Sequence, residues 1–318
     1  MQNRDTIKET IGWKSAYMYP VCAAIFTDRK QLAEESKLKE CRDILKANTG
    51  IFSNFRSTAQ LVMLSMMAVE ADAEGKLKHS LEAYQIMKKH FFTSEYLPVV
   101  AMILTNFVEP SQYENKTVRT REIYDLMKKE HPFLTSSEDS VFATLLSLSE
   151  QTNEQLIHEI ERCYQLLKPH FFSGNAVQSL SQVLALQDGT AEEKCEKTMK
   201  LFHALEARKH KYGTDYELST LGVLALLHSD MEQIEQDIID VDDFLSKQKG
   251  YGILGIGKKQ RLMHAGMIVM SSYMDDESVL RSAAINGTIS LIIAQQAAMC
   301  AAIAASSAAA GSASSGGN

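Results

Sequence analysis

Three tyrosines recur at an interval of 40 residues, Tyr84, Tyr124 and Tyr164. Each sits in a similar phrase: AYQIMKKHFF at 83–92, IYDLMKKEHPF at 123–133 and CYQLLKPHFF at 163–172. The same interval separates VLAL at 183–186 from VLAL at 223–226. A period of this size limits the fold more than composition does. A unit of that length cannot bury its own apolar face, so it must stack on its neighbours.

Each period begins with a charged stretch whose apolar residues follow helical spacing, as in Leu77, Leu81, Tyr84 and Met87, or Ile157, Ile160, Tyr164 and Leu167. The tyrosines are expected to lie in that buried stripe. A Phe-containing turn follows: IFSNFRST at 51–58, FFTSEY at 91–96, FLTSSED at 133–139 and FFSGNA at 171–176. Each turn offers a Ser or Thr to cap the next helix, and Glu95, Glu138, Asp139 and Asp215 follow such caps, where an acid complements the helix dipole. The second stretch is apolar almost throughout: LVMLSMMAV at 61–69, LPVVAMIL at 97–104, VFATLLSL at 141–148, LSQVLAL at 180–186 and LGVLALL at 221–227. Apolar surface on nearly every side predicts a helix buried between neighbours.

Helical hairpins are therefore predicted at about 36–70, 76–109, 117–150, 154–187 and 191–229. Residues 13–26 form an opening helix, and 231–247 with 258–274 make a divergent sixth pair. The expected fold is all-α: about six hairpins arranged as an α-solenoid or, alternatively, a closed α/α toroid, plus a charge-free Ala-rich C-terminal helix. The chain divides into an N-terminal helical cap at 1–35, a repeat body at 36–248, a Gly-rich loop with a terminal helix at 249–281, and a charge-free Ala/Ser/Gly-rich tail at 282–318.

Several phrases resemble a bacterial family defined only as a domain of unknown function, number four thousand and three of that series. They are GIFSNFR at 50–56, HPFLTSSEDSVFATLLSLS at 131–149, LLKPHFFSGNAVQSLS at 166–181, GIGKKQRLMHA at 255–265 and IIAQQAAMCAAIAAS at 292–306. The resemblance covers nearly the whole chain. It implies a bacterial, mostly intracellular protein and carries no activity to any residue.

A net charge of −7 argues against a general nucleic-acid binder, which needs clustered Lys and Arg. Five cysteines, Cys22, Cys41, Cys163, Cys195 and Cys300, without CxxC spacing or a secretory signal, predict a reducing cytoplasm. No cofactor and no metal are expected. His90, His131 and His170 recur at equivalent turns, but stacked hairpins hold such positions roughly 10 Å apart, too far for three nitrogens on one zinc. Gly250, Gly252 and Gly255 spell GxGxxG, yet they follow a helix rather than a strand, so an inter-helix loop is expected. Lys258, Lys259 and Arg261 beside it keep an anion site in view. On the helix from 231 the apolar residues Met231, Ile234, Ile238, Val241 and Leu245 place Glu232, Glu235, Asp237, Asp240, Asp242 and Asp243 on an outward, solvated face.

The tail carries no charge from Ser282 to Asn318, and its Ala294, Ala298 and Ala302 make a small-residue ridge. It is expected to pack on this chain or on a second copy, as in a homo-oligomer. Weak membrane association through 283–305 is the competing outcome. The favoured function is non-catalytic: a repeat protein binding a protein or peptide partner. One alternative is an α/α-toroid enzyme with a carboxylate-lined mouth, for which Arg56, Glu95, Glu138, Asp139 and Asp215 are the candidate residues. The other is an adaptor tethered to a membrane by its C-terminal helix.

Overall fold

The computed structural model describes residues 1–12, 16–57, 59–186, 189–227, 229–252 and 255–273. Trp13, Cys300 and the tail at 282–318, with its expected helix and the span at 283–305, lie outside the described residues. Among the described residues the protein is all-α, with one isolated β-bridge between Tyr251 and Ile256. No described helix is long and apolar enough to cross a membrane.

The chain separates into two compact units, residues 1–114 and the described residues from 115 onward. The first contains α1 (Gln2–Ile11), α2 (Met18–Asp28), α3 (Glu35–Asn48), α4 (Gln60–Ala68), α5 (Ala73–Met87) and α6 (Leu97–Leu104). In it α1, α3 and α5 lie side by side, as do α2, α4 and α6. The second contains nearly all of α7 (Tyr113–Glu130), then α8 (Asp139–Ser147), α9 (Asn153–Leu167), α10 (Gly174–Leu184), α11 (Ala191–Ala207), α12 (Leu218–Ala225), α13 (Met231–Ser246) and α14 (Lys258–Tyr273). Here α9, α11 and α13 are neighbours, and α8, α10, α12 and α14 pack in succession.

The apolar helices are short and wholly enclosed. Every residue of α4 from Leu61 onward, and every residue of α6, α8 and α12, is buried. Two glycines let these helices approach closely: a Cβ on Gly222 would meet Leu180 Cδ1 at 2.5 Å, and one on Gly266 would meet Leu224 Cδ1 at 2.7 Å. A leucine of α10 thus fills the gap at α12, and a leucine of α12 fills the gap at α14.

The charged helices are amphipathic, and α5, α9, α11 and α13 start on side-chain caps supplied by Asp72, Thr152, Thr190 and Asp230. Thr152 with Gln155 and Thr190 with Glu193 form complete capping boxes at α9 and α11. Their cations finish the short helices. In the first unit Lys76 donates to Met102 O (2.9 Å), Thr105 Oγ1 (2.7 Å) and Asn106 Oδ1 at the end of α6. In the second, Arg119 donates to Ser147 O (3.0 Å), Ser149 O (2.7 Å), Gln151 O and Asn153 Oδ1 (3.1 Å), joining the end of α8 to the start of α9. Carbonyls orphaned at a helix end are satisfied this way.

Two expectations need correction. Tyr84 is buried, but Tyr124 and Tyr164 are only half-buried: each sits where a polar neighbour reaches it, with Arg121 over the Tyr124 ring and His131 against the Tyr164 ring. Asp242 is not on a solvated face. It is buried against α14, where Arg261 donates to both its oxygens (2.7 and 2.9 Å) and His210 Nδ1 lies 3.0 Å away. The apolar stripe still faces inward, but an acid at its edge is paid for by an arginine 19 residues further along.

Candidate functional site

The residues singled out from the sequence gather at one kind of place, the turn where a charged helix ends and an apolar helix begins. Ser94 Oγ accepts from Leu97 N (3.3 Å) and Ser173 Oγ from Ala176 N (3.3 Å), so two expected caps form. At α8 the roles reverse, and Ser136 N donates to Asp139 Oδ2 (2.8 Å).

Behind that turn lies a buried polar row. Gln182 Nε2 donates to Asp139 Oδ1 (3.1 Å), and Gln178 Nε2 donates to Thr135 Oγ1 (2.9 Å). Further along, Gln260 Nε2 donates to Glu217 Oε1 (3.3 Å), whose Oε2 accepts from Asp215 N (3.2 Å). Burial pushes the Asp139 carboxyl up to about 6, against the lowering effect of the Ser136 and Gln182 hydrogen bonds. Burial likewise raises Glu217. Gly213 is required here, because the Glu217 side chain folds over it and leaves 2.2 Å for a Cβ.

The front of the same turns carries unsupported aromatic rings. Phe52, Phe92, Phe133 and Phe172 are 100, 96, 99 and 100 % exposed, and Ile51 stands out beside Phe52. In the first unit the turn that follows Phe52 packs against α5: Phe55 meets Tyr84 edge-on at 5.1 Å, and Asn54 Nδ2 reaches Tyr84 Oη at 3.4 Å. In the second unit Gly174 lies within 3.2 Å of Leu134 by its Cβ direction, so the turns holding Phe133 and Phe172 are neighbours.

The candidate residues do not form one cluster. Arg56 donates to Thr49 O (3.3 Å) and stays with its own turn, and Glu95 is half-buried at the turn before α6. Glu138 is half-buried and Asp139 buried at the start of α8, while Asp215 accepts from Ser173 Oγ (3.4 Å). Lys258 and Lys259 are exposed on the first turn of α14, but Arg261 is committed to Asp242. Gly252 N, Gly255 N and Ile256 N donate to carbonyls of their own loop, and Gly250 and Gly252 have φ of +95° and +132°. Those amides are spent, which is what an inter-helix loop requires. Of the turn histidines, His90 pairs with Glu114 (2.9 Å) and His131 with Glu161 (2.9 Å), while His170 is exposed.

His210, Asp242 and Asp243 could be counted as metal ligands by distance, but Arg261 already occupies Asp242. Cys22, Cys41, Cys163 and Cys195 are free and buried. Sequence reasoning missed the outward rings and the glutamine row. The signal for the rings was present, a doublet such as Phe91–Phe92 or Phe171–Phe172 at a turn with space for one of the two.

The family described as protein of unknown function (DUF4003) matches residues 3–297, and the chain belongs to that family. It is 25% identical over 304 residues to "Uncharacterized protein YeaA" of Bacillus subtilis (strain 168), covering 92% of this chain and 88% of that protein. No solved structure matches it.

Proposed function

We propose that the chain is a non-catalytic helical-repeat protein that binds a protein or peptide partner, built as about six hairpins in an open α-solenoid rather than a closed toroid. The supporting observation is the order of packing from residue 115 onward, where α9, α11 and α13 run side by side over the succession α8, α10, α12 and α14. Stacked hairpins of this kind lay out one continuous face of outer helices, and such faces bind extended partners. The recurring buried polar residues serve the packing instead of converging on a reacting group. Asp139 and Glu217 each have both oxygens engaged and are 5 and 1 % exposed, so neither reaches a substrate as it stands.

The test is cross-linking in the cells that make the protein, identification of the cross-linked partner, and calorimetric titration of that partner against the purified chain. Saturable binding that is weakened by Glu196→Lys, a charge reversal on the exposed side of α11, is the expected result. Binding that does not saturate, or turnover of a small molecule by the purified chain, would overturn the proposal.

A further inference from the structure

The described cysteines are of two kinds. Cys22 and Cys41 are buried in the first unit, and burial pushes their thiols up to about 12 and about 11. Such thiols stay protonated and inert. Cys163 and Cys195 belong to the second unit and lie against each other. Cys163 is on α9, and Cys195, 32 residues later, is on α11, the helix packed beside it. Cys195 Sγ donates to Cys163 O (3.9 Å), and the two side chains share a hydrogen bond as well. Packing does not require sulfur here. The positions 80 and 40 residues before Cys163 hold Ala83 and Ile123, equally buried and filled by alkyl groups.

The charges around the pair balance. Lys194, beside Cys195 and 3 % exposed, is paired with Glu159 at 2.5 Å, and Glu192 is paired with Arg162 at 2.6 Å. The thiols are therefore told apart mainly by each other. As a thiolate Cys195 accepts from Cys163 Sγ–H, which holds it below the usual thiol range against burial; Lys194 adds to this, and Glu159 and Glu192 oppose it. Cys163, the donor, is raised by the same hydrogen bond and by burial.

We infer that Cys163 and Cys195 form a redox modification site, at which a small hydroperoxide oxidises Cys195 and Cys163 closes a disulfide between α9 and α11. The Cys195 thiolate attacks one peroxide oxygen, the O–O bond breaks, and hydroxide leaves, so that Cys195 becomes a sulfenic acid. Cys163 then gives up its proton and attacks the Cys195 sulfur, and the sulfenic oxygen departs as water. Two thiols lose two electrons in all, and hydrogen peroxide becomes two water molecules. Cys195 is 5 % exposed and Cys163 not at all, so the first attack falls to Cys195 and the oxidant must be little larger than water. A disulfide holds its sulfurs about 2.05 Å apart, inside the contact distance of two thiols. Closing it draws together α9 and α11, the helix whose exposed side carries Glu196. In the reducing compartment that the cysteine pattern predicts, such a bond is transient and acts as a sensor instead of a permanent staple. The inference concerns this chain alone and does not depend on a protein partner.

The full reduced chain is treated with hydrogen peroxide at neutral pH, remaining thiols are alkylated, and a digest made without reductant is mapped by mass spectrometry. The peptides of Cys163 and Cys195 should be joined by a bond that dithiothreitol reverses, while Cys22 and Cys41 are recovered as alkylated thiols. Cys195 should react at least roughly tenfold faster than either of those two, since the thiolate is the reactive form. Cys163→Ser should accumulate a sulfenic acid at Cys195, captured by a 1,3-dione, and oxidised glutathione should join the wild-type pair far more slowly than peroxide does. If the variant fails to fold, the wild-type map still decides. The inference is overturned if Cys195 stays a thiol at peroxide levels that oxidise free cysteine, or if it pairs with a cysteine other than Cys163. It is equally overturned if the pair is joined only in urea, or if Cys22 and Cys41 react as fast, either of which makes oxidation a property of the unfolded chain.

Discussion

Asp139 offers the sharpest test of the packing. Its carboxyl is buried at the start of α8, with Ser136 N on one oxygen and Gln182 Nε2 on the other. Lys128 lowers its pKa and Glu138 raises it, but burial is the largest influence and pushes the group from 3.8 to about 6. A raised pKa means that the folded state favours the protonated acid. The associated stability is complete below pH 3.8 and is lost as pH rises through about 6.

Asp139→Asn removes the titration while keeping the shape. Its amide oxygen can face Ser136 N, and its NH2 can meet Gln182 once that amide turns over. Turning is cheap because Gln182 Oε1 has no hydrogen-bond partner among the described residues. At 1.36 kcal/mol per pKa unit, the unfolding free energy of the variant relative to wild type should rise by about 2 kcal/mol between about pH 4.5 and 7.5. Urea denaturation followed by circular dichroism at several pH values measures this. A difference that changes by less than about 0.5 kcal/mol across the window would show that water or a cation reaches the carboxylate, and the enclosed start of α8 would be wrong.

Other substitutions test separate joints of the fold. Arg119→Ala should destabilise by about 2–3 kcal/mol, since it leaves the carbonyls at the end of α8 unmet, and Arg119→Lys should recover less than half of that because one ammonium cannot span the same acceptors. Gly222→Ala should cost about 1–3 kcal/mol by overpacking against Leu180, seen as a lower denaturation midpoint with an unchanged slope. Tyr124→Ala should cost about 1–2 kcal/mol, less than a fully buried aromatic would, because one side of its ring faces Arg121 and solvent. Added zinc or a chelator should leave the thermal midpoint unchanged, because Arg261 holds Asp242; a rise of several degrees with zinc would contradict that pairing.

How much of this could be read beforehand depends on the range of the interaction involved. Helix positions were legible because they rest on spacing within a few turns: the apolar run 97–104 coincides with α6, and the runs 61–69 and 141–148 match α4 and α8 to within about two residues at each end. Asp242 was misread because its partner lies on the next helix, and a stripe of Ile234, Ile238 and Leu245 says nothing about an arginine packed across it. The row made by Gln178, Gln182 and Gln260 was hidden for the same reason, since each glutamine meets an acceptor 43 residues earlier.

The phenylalanine doublets show a different limit. Phe91 and Phe92 are chemically identical, so hydrophobicity cannot say which one turns inward. Backbone geometry decides: Phe91 N still bonds back to Met87 O at 2.9 Å, which keeps its ring on the helix's packed side, and the next residue leaves the helix facing water. One ring of each doublet therefore supports the fold, and the other is left over at a point where serine or threonine would be cheaper in water.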